Sequence, residues 1–206
     1  ESYAAQCLDY GVRLASSSGG LFMLIAKYVI SQKGVVFGAS FDNTFHKVHH
    51  ISIETIRDLH RIQGSKYVQS DIGDSYQEAK TYLEQERKVL FSGTTCQIAG
   101  LKAFLNKEYE NLYTIDVVCH GVPSPAVFDE YVGFLEDKNK GKVTRLSFRD
   151  KRNGWRDYVF SVKFDNGREY INNRLDDLYM RGFLHDYYLR PSCFCCIYIR
   201  INPLFF

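Results

Sequence analysis

Two cysteines stand at matching points of one strand–helix–strand pattern, and that pattern constrains the fold more than anything else in the chain. Lys88-Val89-Leu90-Phe91-Ser92-Gly93 is a short apolar run, and Gly93-Thr94-Thr95 turns it into a helical pattern over Cys96 to Asn106. Leu112 to Val118 is a second apolar run and delivers Cys119-His120-Gly121. A crossover helix of that length favours parallel pairing of the strands that flank it. Both thiols then lie at the carboxyl edge of a sheet, where open α/β folds gather their ligands.

The rest of the chain continues the alternation. Ser16-Ser17-Ser18-Gly19-Gly20 opens a helix running to about Gln32, and Val35 to Phe41 reads as a strand with Lys47 to Ile53 as its hairpin partner. Glu54 to Arg61 is a short helix and Asp74 to Arg87 a longer one. Pro123-Ser124-Pro125 introduces another, because proline in a first turn gives up no hydrogen bond. Past Gly141 the pattern changes. Val143 to Phe148, Tyr158 to Phe164 and Arg168 to Asn172 read as an antiparallel meander, with Asp165-Asn166-Gly167 as a tight turn. A helix over Asp176 to Tyr187 then precedes Arg190-Pro191-Ser192-Cys193. The expected class is α/β: a mostly parallel mixed sheet with flanking helices and an antiparallel β extension. The expected organisation is a single catalytic domain over 1–206, with an α/β core over 1–140 and a meander, helix and C-x-x-C tail over 141–206.

A 206-residue chain with 45% hydrophobic content buries enough core to fold without disulfides. Six cysteines in such a chain point to a reducing compartment, the cytoplasm, and to metal binding or catalysis. A net charge of +2 gives no footprint for nucleic acid. The longest apolar stretch, Leu21 to Ile30, carries Lys27 and is too short to span a bilayer.

Several motifs offer chemistry. The Ser16–Gly20 turn sets hydroxyls and amides at a helix N-terminus, suited to a dinucleotide's pyrophosphate or to an ordinary helix cap. Gly64-Ser65-Lys66-Tyr67 puts a flexible backbone, a hydroxyl, a cation and a ring within four residues, which suits a planar ring system or simply a solvated loop. Cys96 at a helix start favours thiolate, the form that ligates iron or attacks a carbonyl with His120 as base. Cys193-Phe194-Cys195-Cys196 contains a C-x-x-C compatible with zinc, redox chemistry or an iron–sulfur cluster. Cys7 reads as a buried, inert thiol.

Taken in order, Arg13-x-x-Ser16-Ser17-Ser18-Gly19-Gly20, Gly64 through Ser70, Leu90 through Gln97, Cys119 through Pro125, Phe148-Arg149-Asp150-Lys151 with Gly154-Trp155, and Arg190-Pro191-Ser192-Cys193 form a series. A chain with these motifs in this order resembles the coenzyme F-420 hydrogenase/dehydrogenase beta-subunit family over nearly its full length. The resemblance implies an iron–sulfur flavoprotein oxidoreductase subunit that couples a [4Fe-4S] cluster to FAD (or FMN). Its flavin would exchange hydride with a soluble acceptor such as a deazaflavin coenzyme.

By the same resemblance Cys96, Cys119, Cys193 and Cys196 are the cluster ligands. Ser16, Ser17, Ser18, Gly19 and Gly20 hold flavin phosphates, and Gly64, Ser65, Lys66, Tyr67 and Gln69 line the ring. Lys66 and His120 are the candidate catalytic side chains, Lys66 for the charge of a reduced flavin and His120 to orient a cluster sulfur. A ferredoxin-like module or another redox subunit is the implied partner. The alternatives are a cysteine-dependent acyl-transfer enzyme using Cys96 and His120, and a non-catalytic fragment that docks to a ferredoxin-like partner. Two departures from the family stand out. Thr94-Thr95-Cys96-Gln97 replaces the usual Thr-Pro-Cys-Gln, and the apolar tail Ile197 to Phe206 reads as a truncation of the usual acidic, glycine- and tryptophan-containing segment.

Overall fold

The hydrophobic periodicity of this chain switches between two and roughly 3.6 residues, and the elements follow it closely. The structure, a computed structural model, describes residues 3–198, so most of the apolar tail read over Ile197 to Phe206 lies outside the described residues. The chain forms two compact units whose members interleave along it. The first comprises Glu1–Ser40, His49–Gln63 and Asp71–Cys119, and the second Phe41–Val48, Gly64–Ser70 and His120–Phe206.

The first unit is built around a four-stranded sheet of order β2-β1-β3-β4. Its strands are β1 (Val35–Phe41), β2 (Val48–Ile53), β3 (Val89–Thr94) and β4 (Leu112–Val117). β1 pairs parallel with β3, and β3 with β4 in unbroken register from Val89↔Leu112 to Thr94↔Val117. The expected parallel crossover is therefore present, with helix α4 (Thr95–Leu105) as its connection.

Alternation along β1 and β3 divides the core between the two faces of the sheet. Val35, Phe37, Val89 and Phe91 pack with Ala79 and Leu83 of α3 (Ser75–Glu84) and with Ile98, Leu101 and Leu105 of α4. Val36 and Leu90 face the other way, onto Met23, Ala26 and Val29 of α2 (Leu21–Ser31) and onto Leu59 and Ile62. Strands covered on both faces read as continuous apolar runs, which is why they are legible in the sequence. A short helix α1 (Tyr10–Ala15) has no buried residue, hence no periodic signal, and is an addition to the expected elements. The helix read over Glu54 to Arg61 is a 3₁₀ segment, Ile56–Arg61.

The second unit carries an antiparallel meander of order β5-β6-β7: β5 (Val143–Asp150), β6 (Val159–Phe164) and β7 (Glu169–Asn173). Helix α5 (Pro125–Asn139) begins at the expected proline, and α6 (Leu178–Leu184) occupies the middle of the stretch read as helical. The core here is aromatic. Phe128, Tyr131, Phe148, Phe160 and Tyr179 meet with ring centroids 5.3–6.0 Å apart. No helix among the described residues is long and apolar enough to cross a membrane.

Candidate functional site

The two cysteines of the crossover are positioned by backbone that the sheet fixes. Thr94 ends β3 and precedes α4; its amide donates to Gln97 Oε1 at 3.0 Å, so the first helical turn closes on itself. Cys96 is exposed in that turn, its Sγ 3.1 Å from Thr94 Oγ1. Thr95 donates its hydroxyl to Asp116 of β4 at 3.1 Å, which anchors the turn to the neighbouring strand. Cys119 follows β4 by two residues and is half-buried.

Cys193 is held by a separate device within the second unit. Residues 122–124 and 188–190 run side by side: Ser124 N donates to Tyr188 O, Arg190 N to Val122 O, and Pro123 bridges Leu189. The pairing presents a four-residue helix α7 (Pro191–Phe194) in which Cys193 Sγ accepts the Val122 amide at 3.5 Å. Cys196 closes the turn, its amide donating to Cys193 O at 3.2 Å. Gly121 makes the approach possible. Its φ is +148°, and a Cβ there would come within 2.5 Å of Leu189 Cδ1. The helical turn over the C-x-x-C has no sequence signal, because four residues carry no period.

All six cysteines are free thiols, and Cys7 is buried at 2% exposure as expected of an inert core residue. The four proposed ligands divide two and two, Cys96 and Cys119 in the first unit, Cys193 and Cys196 in the second. Among the described residues no group of three or more His, Cys, Asp or Glu side chains stands ready to hold a metal ion. In donor chemistry the thiols nevertheless suit an iron–sulfur cluster. They are free, three of them are half-buried, and Cys193 already takes an amide hydrogen bond of the kind that tunes cluster sulfurs.

His120 is tied to the second unit. Its Nε2 lies 2.6 Å from Asp186 Oδ1, and its ring meets the Phe183 ring edge-on at 5.0 Å. Asp186 adopts a left-handed φ of +63° just past the end of α6, and no local motif marks it as a partner for His120.

The serine turn differs from expectation in detail. Ser16 is buried and donates its hydroxyl to Val12 O at 2.7 Å, so it caps the end of α1 rather than the start of α2. The residue before α2 is Gly20, at φ +82°, where a Cβ would stand 3.1 Å from Cys7 Cβ. Ser17, Ser18 and Gly19 form the bend between the helices, and Gly19 O accepts the Cys7 amide at 2.7 Å.

The Gly64–Gln69 loop lies in the second unit. Gly64, at φ +84°, has open space around it. Lys66 Nζ donates to Gly64 O at 3.3 Å and lies 5.9 Å from the Phe41 ring; burial pushes its pKa down to about 7. The Tyr67 ring stacks on Phe183 at 4.7 Å, and its carbonyl accepts the Tyr179 hydroxyl. Burial raises the pKa of Tyr67, against the opposing pull of Arg149, which together with Ser65 hydrogen-bonds its hydroxyl. Gln69 N donates to Pro123 O at 3.4 Å, which links this loop to the segment that cradles Cys193.

Comparison with known proteins adds the following. Residues 86–200 match the family described as the C terminus of the beta subunit of coenzyme F420 hydrogenase/dehydrogenase. That stretch contains all four proposed ligand cysteines. No curated protein matches the chain. Among solved structures, the chain is similar in fold to a chain of the xenon-derivatised F420-reducing [NiFe] hydrogenase complex from Methanosarcina barkeri. The TM-score is 0.58 at 16% identity, covering 93% of this chain and 63% of that one. The chain thus spans less than two thirds of that relative's length.

Proposed function

Because the chain belongs to the coenzyme F420 hydrogenase/dehydrogenase beta-subunit family, we propose that it is an iron–sulfur flavoprotein oxidoreductase subunit exchanging electrons between a partner and a soluble hydride acceptor. The match over residues 86–200, running from before β3 through the C-x-x-C, carries this reading. When bound, a [4Fe-4S] cluster passes single electrons and a flavin pools two of them for a hydride. Cys96, Cys119, Cys193 and Cys196 would hold the cluster, and FAD or FMN is the flavin. The acceptor is of the deazaflavin class, and a ferredoxin-like module or another redox subunit is the partner.

The chain's own residues have definite tasks in this scheme. Cys96 supplies an exposed thiol from the first turn of α4, and Cys193 one whose sulfur is oriented by the Val122 amide. His120, whose Nε2 lies 2.6 Å from Asp186 Oδ1, follows Cys119 in the chain and would orient a cluster sulfur. Lys66, with a pKa of about 7, takes up a proton readily when negative charge is placed beside it, which is the task of a side chain facing a reduced flavin. Ser17, Ser18 and the amides before α2 are donors for a flavin diphosphate.

The test is iron, sulfide and flavin content of protein purified without oxygen. About four irons and four sulfides per chain are expected. Serine at Cys96, Cys119, Cys193 or Cys196 should lower iron, whereas Cys7→Ser and Cys195→Ser should not. Full iron in all four ligand variants, or no iron after anaerobic reconstitution, refutes the reading.

A further inference from the structure

The turn that carries Cys96 is gripped at both ends by side chains from outside it. Before the turn, Ser92 O accepts from His50 Nε2 at 3.0 Å. A carbonyl can only accept, so Nε2 is the ring nitrogen that bears a proton. After the turn, Gln97 O accepts the Tyr76 hydroxyl at 2.7 Å. His50 belongs to β2, and β1 stands between β2 and β3, so the ring reaches past a whole strand to meet Ser92. All of these residues belong to the first unit.

Three observations set this grip apart from ordinary packing. First, both rings lie on the fully buried Phe91, His50 stacked at 5.3 Å and Tyr76 tilted at 5.7 Å. Second, both arms rise from one base. His50 N donates to Asp71 O at 2.8 Å, and Ser75, the neighbour of Tyr76, donates its hydroxyl to His50 O at 3.4 Å. Third, glycines leave room for the approach. A Cβ at Gly93 would stand 3.0 Å from Gln97 Oε1 and 3.6 Å from His50 Nε2, and one at Gly100 would stand 3.0 Å from the Tyr76 hydroxyl. His50 is buried, and an apolar side chain would fill its space without the cost of burying an imidazole. What the imidazole adds is the hydrogen bond to Ser92.

We propose that His50 and Tyr76 are positioning residues for Cys96: they fix the carbonyls of Ser92 and Gln97, and thereby the direction in which the thiolate faces iron. The inference rests on the iron–sulfur reading, in which Cys96 is a ligand, and adds two residues that act only through the backbone. Groups that hold a ligand from behind govern both the retention of the metal and its electronic character.

Hydrogen exchange of the full chain, freed of iron and kept reduced, tests the grip itself. Tyr76→Phe and His50→Leu should each speed exchange over residues 92–101 by about fivefold or more, with β1 unchanged. His50→Gln keeps a donor and should fall between wild type and His50→Leu. Tyr82→Phe removes a hydroxyl of the same helix that meets Glu54 instead, and should exchange as wild type does. In the iron-loaded protein, Tyr76→Phe and His50→Leu should release iron to a chelator about tenfold faster and shift the EPR g values of the reduced cluster. Tyr82→Phe should do neither. Where wild type holds iron, unaltered iron release and g values in both variants overturn the positioning role alone, even if exchange is faster. A wild type without iron after anaerobic reconstitution refutes the iron–sulfur reading, and the positioning role with it.

Discussion

Gly121 and Lys66 show how much a single side chain, or its absence, decides here. A Cβ at Gly121 would strike Leu189, which is buried, from a backbone angle that L residues rarely adopt. Gly121→Ala should therefore lower stability by about 1–3 kcal/mol in urea unfolding. A loss below about half a kcal/mol would show that Leu189 yields freely. At Lys66 the expected sign is reversed. Its folded pKa of about 7 lies below that of an unfolded lysine, about 10.4. Below pH 7 both states carry the charge, and folding bears the full burial cost. Between about 7 and 10.4 the unfolded chain holds the extra proton, so stability from this group rises with pH. Lys66→Met should thus stabilise the protein most below about pH 7, with the gain fading toward about pH 10. A gain of equal size at about pH 6 and about pH 9.5 would contradict this.

Among the elements, α6 depends on one carboxylate. Asp177 is fully buried and precedes the helix; its Oδ1 accepts the Met180 amide at 2.8 Å, and its Oδ2 accepts the hydroxyls of Tyr131 at 2.5 Å and Tyr170 at 3.0 Å. It joins α5, β7 and α6 through one group, and burial and its charge both raise the pKa of Tyr131. Asp177→Ala removes a helix cap and takes away the acceptor that the Tyr131 and Tyr170 hydroxyls share. The expected loss is roughly 3 kcal/mol or more, read from thermal and urea unfolding, with Asp177→Asn costing less. A loss under about 1 kcal/mol would mean that the network is dispensable.

The elements also show what is legible in the sequence. β1 and β3 are readable because residues such as Val36 and Leu90 are buried on one face while Phe37 and Phe91 are buried on the other. Ser16 escapes a sequence reading because its hydroxyl prefers the free carbonyl of Val12, and a local competition of that kind leaves no periodic trace. The four thiols are visible by motif. The links from Arg149 to Tyr67 and from His120 to Asp186 join residues far apart in the chain, and no local pattern announces either.

At the scale of the whole molecule, the proposed ligands come equally from both units. A cluster that binds the folded chain and not the unfolded one shifts the equilibrium toward the fold by mass action. Anaerobic reconstitution should therefore raise the melting temperature, and oxidative loss of iron should reverse the gain. An unchanged melting temperature with full iron would place the metal on thiols that the fold does not organise.

The interleaving of the units has a further consequence, for how such a protein can be inherited. The chain enters the second unit for Phe41–Val48, returns, enters it again for Gly64–Ser70, and returns once more before staying from His120 onward. No single gene fission yields both units whole, and no single crossover between distant lineages exchanges one while sparing the other. The two halves must be transmitted as one locus, so a change in either is selected against the background of the other.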